Sequence, residues 1–196
     1  MRGSWCGPWG APAMAAQAGT AMLLPMGDLL ERLAIRLVPD GKDSEKTVEL
    51  DERLLATPSL AIQQSRAVTV EMAECAVQAL KDSLLALDSY TPELAQSIRE
   101  NEELCDHYED IIGTYLVKLS SRRLGVKESE ETTELLKSIG DFERISDHAV
   151  NVLASAEEVR DKGLSFSDAA RAEFATLAAA IREILDISLR AFEQED

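Results

Sequence analysis

Hydrophobic residues from position 57 onward recur every three or four residues, which is the spacing of one face of an α-helix. Four stretches show this period, and short segments rich in turn and capping residues separate them. The pattern predicts four long helices, at 58–89, 92–124, 129–162 and 166–194. In the fourth stretch the predicted apolar seam consists of Phe174, Leu177, Ile181, Leu185 and Phe192.

Local chemistry sets the predicted starts and stops of these helices. The dipeptides Thr57-Pro58 and Thr91-Pro92 each place a capping hydroxyl before the proline favoured at the first helical position. Gly125 and Gly163 are expected to end the second and third helices. The remaining start signals are Ser129 and the capping-box pair Ser165 and Asp168.

Short loops between long helices determine the predicted fold. Each amphipathic helix must bury its apolar stripe against the next one, and a short loop leaves room only for an antiparallel neighbour. Residues 57–196 are therefore predicted to form an all-α, antiparallel, up-and-down helical bundle.

The N-terminal part of the chain has a different character. An Ala-rich apolar run at 11–26 is too short for the ~20 apolar residues of a membrane-spanning helix, and an amphipathic stretch follows at 29–37. We interpret residues 1–38 as an N-terminal segment with the remnant of a membrane-proximal helix. Residues 39–56, which open with the charged stretch PDGKDSEK, are predicted to be a linker to the bundle.

Charge and cysteine usage narrow the class of protein. The formal net charge of −16 over 196 residues repels nucleic acid, so we expect no DNA or RNA partner. Cys6, Cys75 and Cys105 are odd in number and form no CxxC pair, which indicates neither a disulfide framework nor a zinc site. Reduced thiols point to a cytoplasmic setting.

Acidic residues recur in matching register on the second and third predicted helices. Glu102 and Asp106 lie four residues apart, Glu109 follows, and Glu143 and Asp147 repeat the spacing. On both helices these acids directly follow seam positions, so both sets are expected to flank one helix contact. Grouped carboxylates suit a hard cation such as Mg²⁺, Ca²⁺, Mn²⁺ or oxidised iron. The alternative is that they are ordinary charges on a solvated surface.

Further polar residues surround the second acid pair. Asp141, Arg144 and His148 share another side of the helix, where we expect a supporting hydrogen-bonded cluster rather than a catalytic role. Asn151, four residues after Asp147, fits either a supporting position behind the ligands or a packing contact.

Enzyme classes fit the sequence poorly. A di-iron carboxylate bundle uses Glu-x-x-His on two helices, yet Leu104 and Ile145 occupy the positions three residues before the two histidines. No GxSxG, HExxH or P-loop motif is present. Neither the histidine spacing nor a catalytic motif therefore supports an enzyme class.

The stretch GDFERISDHAVN resembles the PhoU family of phosphate-transport regulators, whose helical repeats carry an (E/D)xxxD metal motif in a segment of the type ERIGDHAxN. Residues 143–149 and Asn151 match that segment, with Ser146 where glycine is usual. Residues 102–106 match the companion motif on the preceding helix. The resemblance implies a helical bundle without a reaction of its own that binds a divalent metal ion or an iron cluster. It does not distinguish Mg, Mn and Fe.

A second resemblance lies upstream. LLPMGDLLERLAIRLVPD and LDERLLATPSLAIQQ together are similar to the junction in bacterial sodium/phosphate cotransporter family proteins, where the last membrane helix leads into a cytoplasmic PhoU-like domain. This resemblance implies regulation of phosphate transport at the inner face of the plasma membrane. The implied partners are the transporter membrane domain or other phosphate-uptake proteins, and a homodimer is allowed.

Two departures from the cotransporter pattern shape our expectations. The first twenty or so residues do not look like a transporter, and the last predicted helix resembles the first helix of a second PhoU repeat. We therefore expect a chain truncated at both ends. The alternative to a metal-binding regulator is a non-catalytic acidic helical adaptor that binds a basic protein partner without metal.

Overall fold

The computed structural model describes residues 50–194, and within this range every regular element is helical. A short 3₁₀ helix at Glu52–Ala56 precedes four α-helices. These are α1 (Pro58–Ala86), α2 (Pro92–Ser120), α3 (Val126–Asp161) and α4 (Asp168–Gln194). The prediction of an all-α helical bundle is confirmed. The N-terminal segment, most of the predicted linker and Cys6 lie outside the described residues.

Capping chemistry explains where the observed helices differ from the predicted ones. α3 begins at Val126 rather than Ser129, because Gly125 takes the extended N-cap conformation and its N–H donates to Glu128 Oε2 at 2.8 Å. α4 is capped by Ser167 rather than Ser165, since Ser167 Oγ accepts from the Ala170 N–H at 3.2 Å. α1 ends at Ala86 and α2 at Ser120, a few residues before the predicted ends.

Two capping predictions are confirmed. The Thr91 hydroxyl accepts from the Leu94 N–H at 3.1 Å, with Pro92 opening α2. At the end of α3, Gly163 has φ of +60°, a left-handed conformation that L-residues with side chains rarely adopt.

Helices α1, α2 and α3 enclose the core and alternate in direction. Cys105 of α2 lies beside Met72 of α1, with its thiol 3.7 Å from the Met72 carbonyl oxygen, and Arg99 of α2 reaches Glu157 near the end of α3. The wide half of the core contains large side chains, among them Tyr108, Ile112, Leu116 and Leu135. The other half is mostly alanine, which lets the helices approach closely there.

Helix α4 lies against α1 and contributes little to this core. Only Ala178 and Leu185 of α4 are buried, and Lys81 of α1 forms an ion pair with Asp186. Phe192 makes an edge-to-face contact with Phe142 of α3, at 5.1 Å between ring centroids. The prediction that Leu177 belongs to the buried seam is wrong, because its side chain is 57% exposed.

The segment before α1 packs on α2. Leu55 is buried, the Tyr115 hydroxyl donates to the Asp51 carbonyl oxygen at 3.0 Å, and Lys118 pairs with Glu52 at 2.6 Å. Residues 50–56, which the sequence places in the linker, are therefore attached to the bundle. None of the described helices combines the length and the apolarity needed to cross a membrane.

Candidate carboxylate site

The candidate site is built on the contact between α2 and α3. Cys105 and Ser146 are both fully buried and face each other at this contact. The Ser146 hydroxyl also donates to the Glu143 carbonyl oxygen at 2.8 Å, so its polar group is satisfied inside the interface. Asp106 and Asp147 directly follow these two residues and therefore flank the contact.

Electrostatics show that the acids of the two helices act on one another. Burial raises the pKa of Glu102, and the charges of Asp106 on its own helix and Asp147 on α3 raise it further. Burial likewise raises the pKa of Glu143, followed by the charges of Asp147, then of Glu109 and Asp106 on α2. The structure thus places Asp106 and Asp147 within electrostatic reach of both Glu102 and Glu143, and Glu109 within reach of Glu143.

None of these five acids forms an ion pair with a lysine, arginine or histidine in the described part of the chain. A different acid on the same helix pair is compensated: Glu157 accepts from Arg99 Nη2 at 2.7 Å and from the Tyr90 hydroxyl at 3.2 Å. The Arg99 hydrogen bond is the main reason that the pKa of Glu157 is lowered. Among residues 50–194, negative charge is therefore neutralised at one end of the α2–α3 contact and left unneutralised at its middle.

The five acids are not drawn together around one point. Asp106 and Asp147 are exposed, while Glu102, Glu109 and Glu143 are half-buried. Among residues 50–194, no three Asp, Glu, His or Cys side chains stand close enough to hold one metal ion. An all-oxygen donor set fits a hard cation, but binding would require these side chains to rotate toward it. Their role as ligands stays a prediction.

The predicted supporting residues behave in different ways. Arg144 Nη1 lies 3.5 Å from Asp141 Oδ1. Their side chains are 73% and 70% exposed, so the pair contributes little to stability. His148 is also exposed, and within the described residues it makes no hydrogen bond to that pair. The Asn151 amide donates to the Asp147 backbone carbonyl at 3.0 Å, one helical turn back. It therefore holds the helix backbone rather than a carboxylate.

Glu71 of α1 is a polar residue near the site, and the spacing patterns of the sequence did not predict it. Its carboxylate accepts from the buried Tyr108 hydroxyl at 3.0 Å, and burial together with this bond raises the pKa of Tyr108. The signal that could have found it is the tyrosine at a core position of α2, whose hydroxyl needs a partner. Burial raises the pKa of the Cys105 thiol to about 12, so this cysteine is protonated at neutral pH and is a poor metal ligand.

Fold and acids together define a class of protein: an all-α antiparallel bundle whose second and third helices share an acidic face. The family model described as PhoU domain matches residues 69–156, a stretch that contains all five acids. The phosphate-specific transport system accessory protein PhoU homolog of Borreliella burgdorferi is 33% identical over 88 residues. That match covers 42% of this chain and 38% of the relative. No solved structure matches the chain. Residues 69–156 are therefore similar to a PhoU domain, and the chain spans less than half the length of this relative.

The raised pKa values generate a prediction about stability and pH. In the folded state Glu102 and Glu143 hold their charge less readily than in the unfolded chain, where the value is 4.5. We expect E102Q and E143Q each to raise the free energy of unfolding at neutral pH by ~0.5 kcal/mol. The folded protein binds more protons between 4.5 and the raised value, so the gain should shrink as the pH falls through that window. Urea denaturation in metal-free buffer measures this gain in the free energy of unfolding.

The matched control is E157Q, because the pKa of Glu157 is lowered by Arg99. Its ionised form stabilises the fold above the unfolded value, so E157Q is expected to destabilise at neutral pH. That difference should disappear as the pH falls through the lowered pKa. Destabilisation of the metal-free protein by E102Q and E143Q at neutral pH would contradict uncompensated repulsion at the site.

Proposed function

We propose that the chain is a non-catalytic, PhoU-like regulator of phosphate transport that binds a hard cation between α2 and α3. The observation that carries the proposal is the PhoU domain match over residues 69–156, which covers both acid pairs. The relative's name, accessory protein of a phosphate-specific transport system, points to the same process. In this proposal the partner is the membrane domain of a sodium-dependent phosphate transporter or another phosphate-uptake protein, met at the cytoplasmic face of the membrane.

The proposed cation would be held by Glu102, Asp106, Glu109, Glu143 and Asp147. Support comes from Glu102 and Glu143, because burial and the charges of neighbouring acids raise the pKa of both groups. No lysine, arginine or histidine in the described part of the chain forms an ion pair with any of the five acids. A divalent ion, or iron in a cluster, would supply positive charge that fixes α2 against α3. Metal binding would then change the stability of the bundle and thus the surface that it presents to a partner.

The second candidate function is an acidic adaptor that binds a basic protein surface without metal. Two observations favour it: Asp106 and Asp147 are exposed, and the net charge of the chain is −16. In this case a partner's lysine and arginine side chains would neutralise the same carboxylates, and added metal would leave the free protein unchanged.

Metal titration separates the two candidates. With Mg²⁺, Mn²⁺ and Fe³⁺ tested one at a time, we expect at least one ion to bind in calorimetry. At a free concentration 100-fold above its Kd, that ion should stabilise the fold by ~2.7 kcal/mol. D106N/D147N should raise stability in metal-free buffer and weaken metal binding. The control D82N/D161N removes two acidic charges outside the site, one half-buried and one exposed, and should bind metal as the wild type does. If none of the ions gives a heat of binding or a rise in Tm, the proposed metal site is wrong. The acidic adaptor then remains as the candidate function.

Phosphate uptake tests the accessory role itself. In cells that lack the chain, re-expression of the wild-type protein is expected to change the rate of sodium-dependent uptake of radiolabelled phosphate. D106N/D147N should have a smaller effect at equal expression, and D82N/D161N should match the wild type. Uptake that is the same with and without the chain would contradict a role in phosphate transport.

A further inference from the structure

The turn that joins α2 to α3 is a basic part of a strongly acidic chain. Residues 111–127 contain no acid and four cations, Lys118, Arg122, Arg123 and Lys127, although the net charge of the chain is −16. Arg122 and Arg123 are exposed, and neither forms an ion pair among residues 50–194. The charge of this turn is therefore opposite in sign to that of the molecule as a whole.

An apolar side chain projects from the same turn. Val126, the first residue of α3, is 79% exposed, which is more than any other large apolar side chain among residues 50–194. Because Cα–Cβ bonds tilt toward the N-terminus of a helix, a side chain at this position points outward past the end of the bundle. We call Arg122, Arg123, Val126 and Lys127 the turn patch.

Most acids near the turn patch already have partners. Glu128 Oε2 accepts from the Gly125 N–H at 2.8 Å, and Glu131 pairs with Lys127 at 3.3 Å. The Lys127 side chain is 89% exposed, so this pair is weak and its cation remains available to a ligand. Glu130, on the second turn of α3, is exposed and forms no ion pair in the described residues. The turn patch thus keeps a positive charge that Glu130 reduces but does not cancel.

The turn patch lies at the end of the bundle where the preceding chain enters. Lys118, near the end of α2, pairs with Glu52 at 2.6 Å, and the Tyr115 hydroxyl donates to the Asp51 carbonyl oxygen at 3.0 Å. The chain before residue 50, which includes the amphipathic stretch at 29–37, therefore joins the bundle at the end that carries the turn patch. A surface that meets this end of the bundle meets both the turn patch and the point of entry.

We propose that the turn patch binds the surface of a bilayer that contains anionic phospholipid. The two arginines and Lys127 contact lipid phosphate groups, which guanidinium groups can bind through paired hydrogen bonds. Val126 enters the boundary between the headgroups and the acyl chains, where a small apolar side chain flanked by cations is stabilised. An acidic protein surface would neutralise the same arginines, but one projecting valine offers it little apolar area. Charge and apolarity together therefore favour the bilayer.

The contact is expected to be weak. Each cation close to an anionic bilayer strengthens binding about fivefold, while the net charge of −16 repels the rest of the molecule from that bilayer. The turn patch therefore orients a protein that is already near the membrane rather than recruiting it from solution. None of its residues belongs to the five acids, so the inference does not rest on the proposed function.

Co-sedimentation of the full chain with sucrose-loaded vesicles tests the proposal. At high lipid concentration and low ionic strength, vesicles of equimolar phosphatidylcholine and phosphatidylglycerol are expected to bind the wild type, and pure phosphatidylcholine vesicles should not. R122E/R123E should weaken binding at least about 25-fold. The matched control R171E/R190E makes the same change in net charge at two exposed arginines of α4, and it should weaken binding much less.

Separate variants test the apolar contact and the nearby acid. V126S should weaken binding about fivefold, because serine loses most of the transfer free energy of valine. The control L164S changes an exposed leucine, at 58%, on the turn at the opposite end of the bundle and should bind as the wild type does. E130Q removes the uncompensated acid near the turn patch and should strengthen binding about fivefold. Circular dichroism verifies that every variant folds.

All variants share the chain before residue 50, so differences between them report on the substituted residues. The proposal is overturned if R122E/R123E binds no more weakly than R171E/R190E, or if V126S binds as well as L164S does. A wild type that does not bind the anionic vesicles also overturns it and favours an acidic protein surface as the partner of the turn patch.

Discussion

The buried contact between α2 and α3 is the constraint on which the rest of the site depends. Cys105 and Ser146 meet there without solvent, and their registers place the following residues, Asp106 and Asp147, at the edge of the same contact. Because the two helices are antiparallel and packed through buried residues, the core fixes the backbone positions from which these acids project. Burial of Glu102 and Glu143, followed by the charges of the neighbouring acids, raises the pKa of both groups.

The same helix pair also contains one acid whose negative charge is compensated. Glu157 has Arg99 and Tyr90 as partners, and its pKa is lowered. The acids at the middle of the contact have no such partner in the described residues. A cation added there would therefore relieve the most repulsion. A regulator needs a region whose stability responds to a ligand, and uncompensated charge beside a rigid core supplies one.

The sequence predicted the helices and the matching acid register, because the period of apolar positions encodes both. It placed the start of α3 too late, since the residue that caps it, Gly125, has no side chain to mark it as a cap. It missed Glu71, whose partner Tyr108 lies on another helix, so no spacing along the chain connects them. Leu177 was assigned to the core because periodicity locates an apolar face without saying what covers it; α4 has two such faces, and only one contacts α1.

Site-resolved carbon NMR of the glutamate carboxyl groups tests the account's central claim most directly. In metal-free protein, titration of Glu102 and Glu143 should give pKa values above the ordinary 4.5, and Glu157 should titrate below it. Saturation with a bound divalent cation should lower the first two and leave Glu157 in place. If Glu102 and Glu143 titrate at or below 4.5 without metal, the carboxylates do not repel one another and the α2–α3 contact is not the site described.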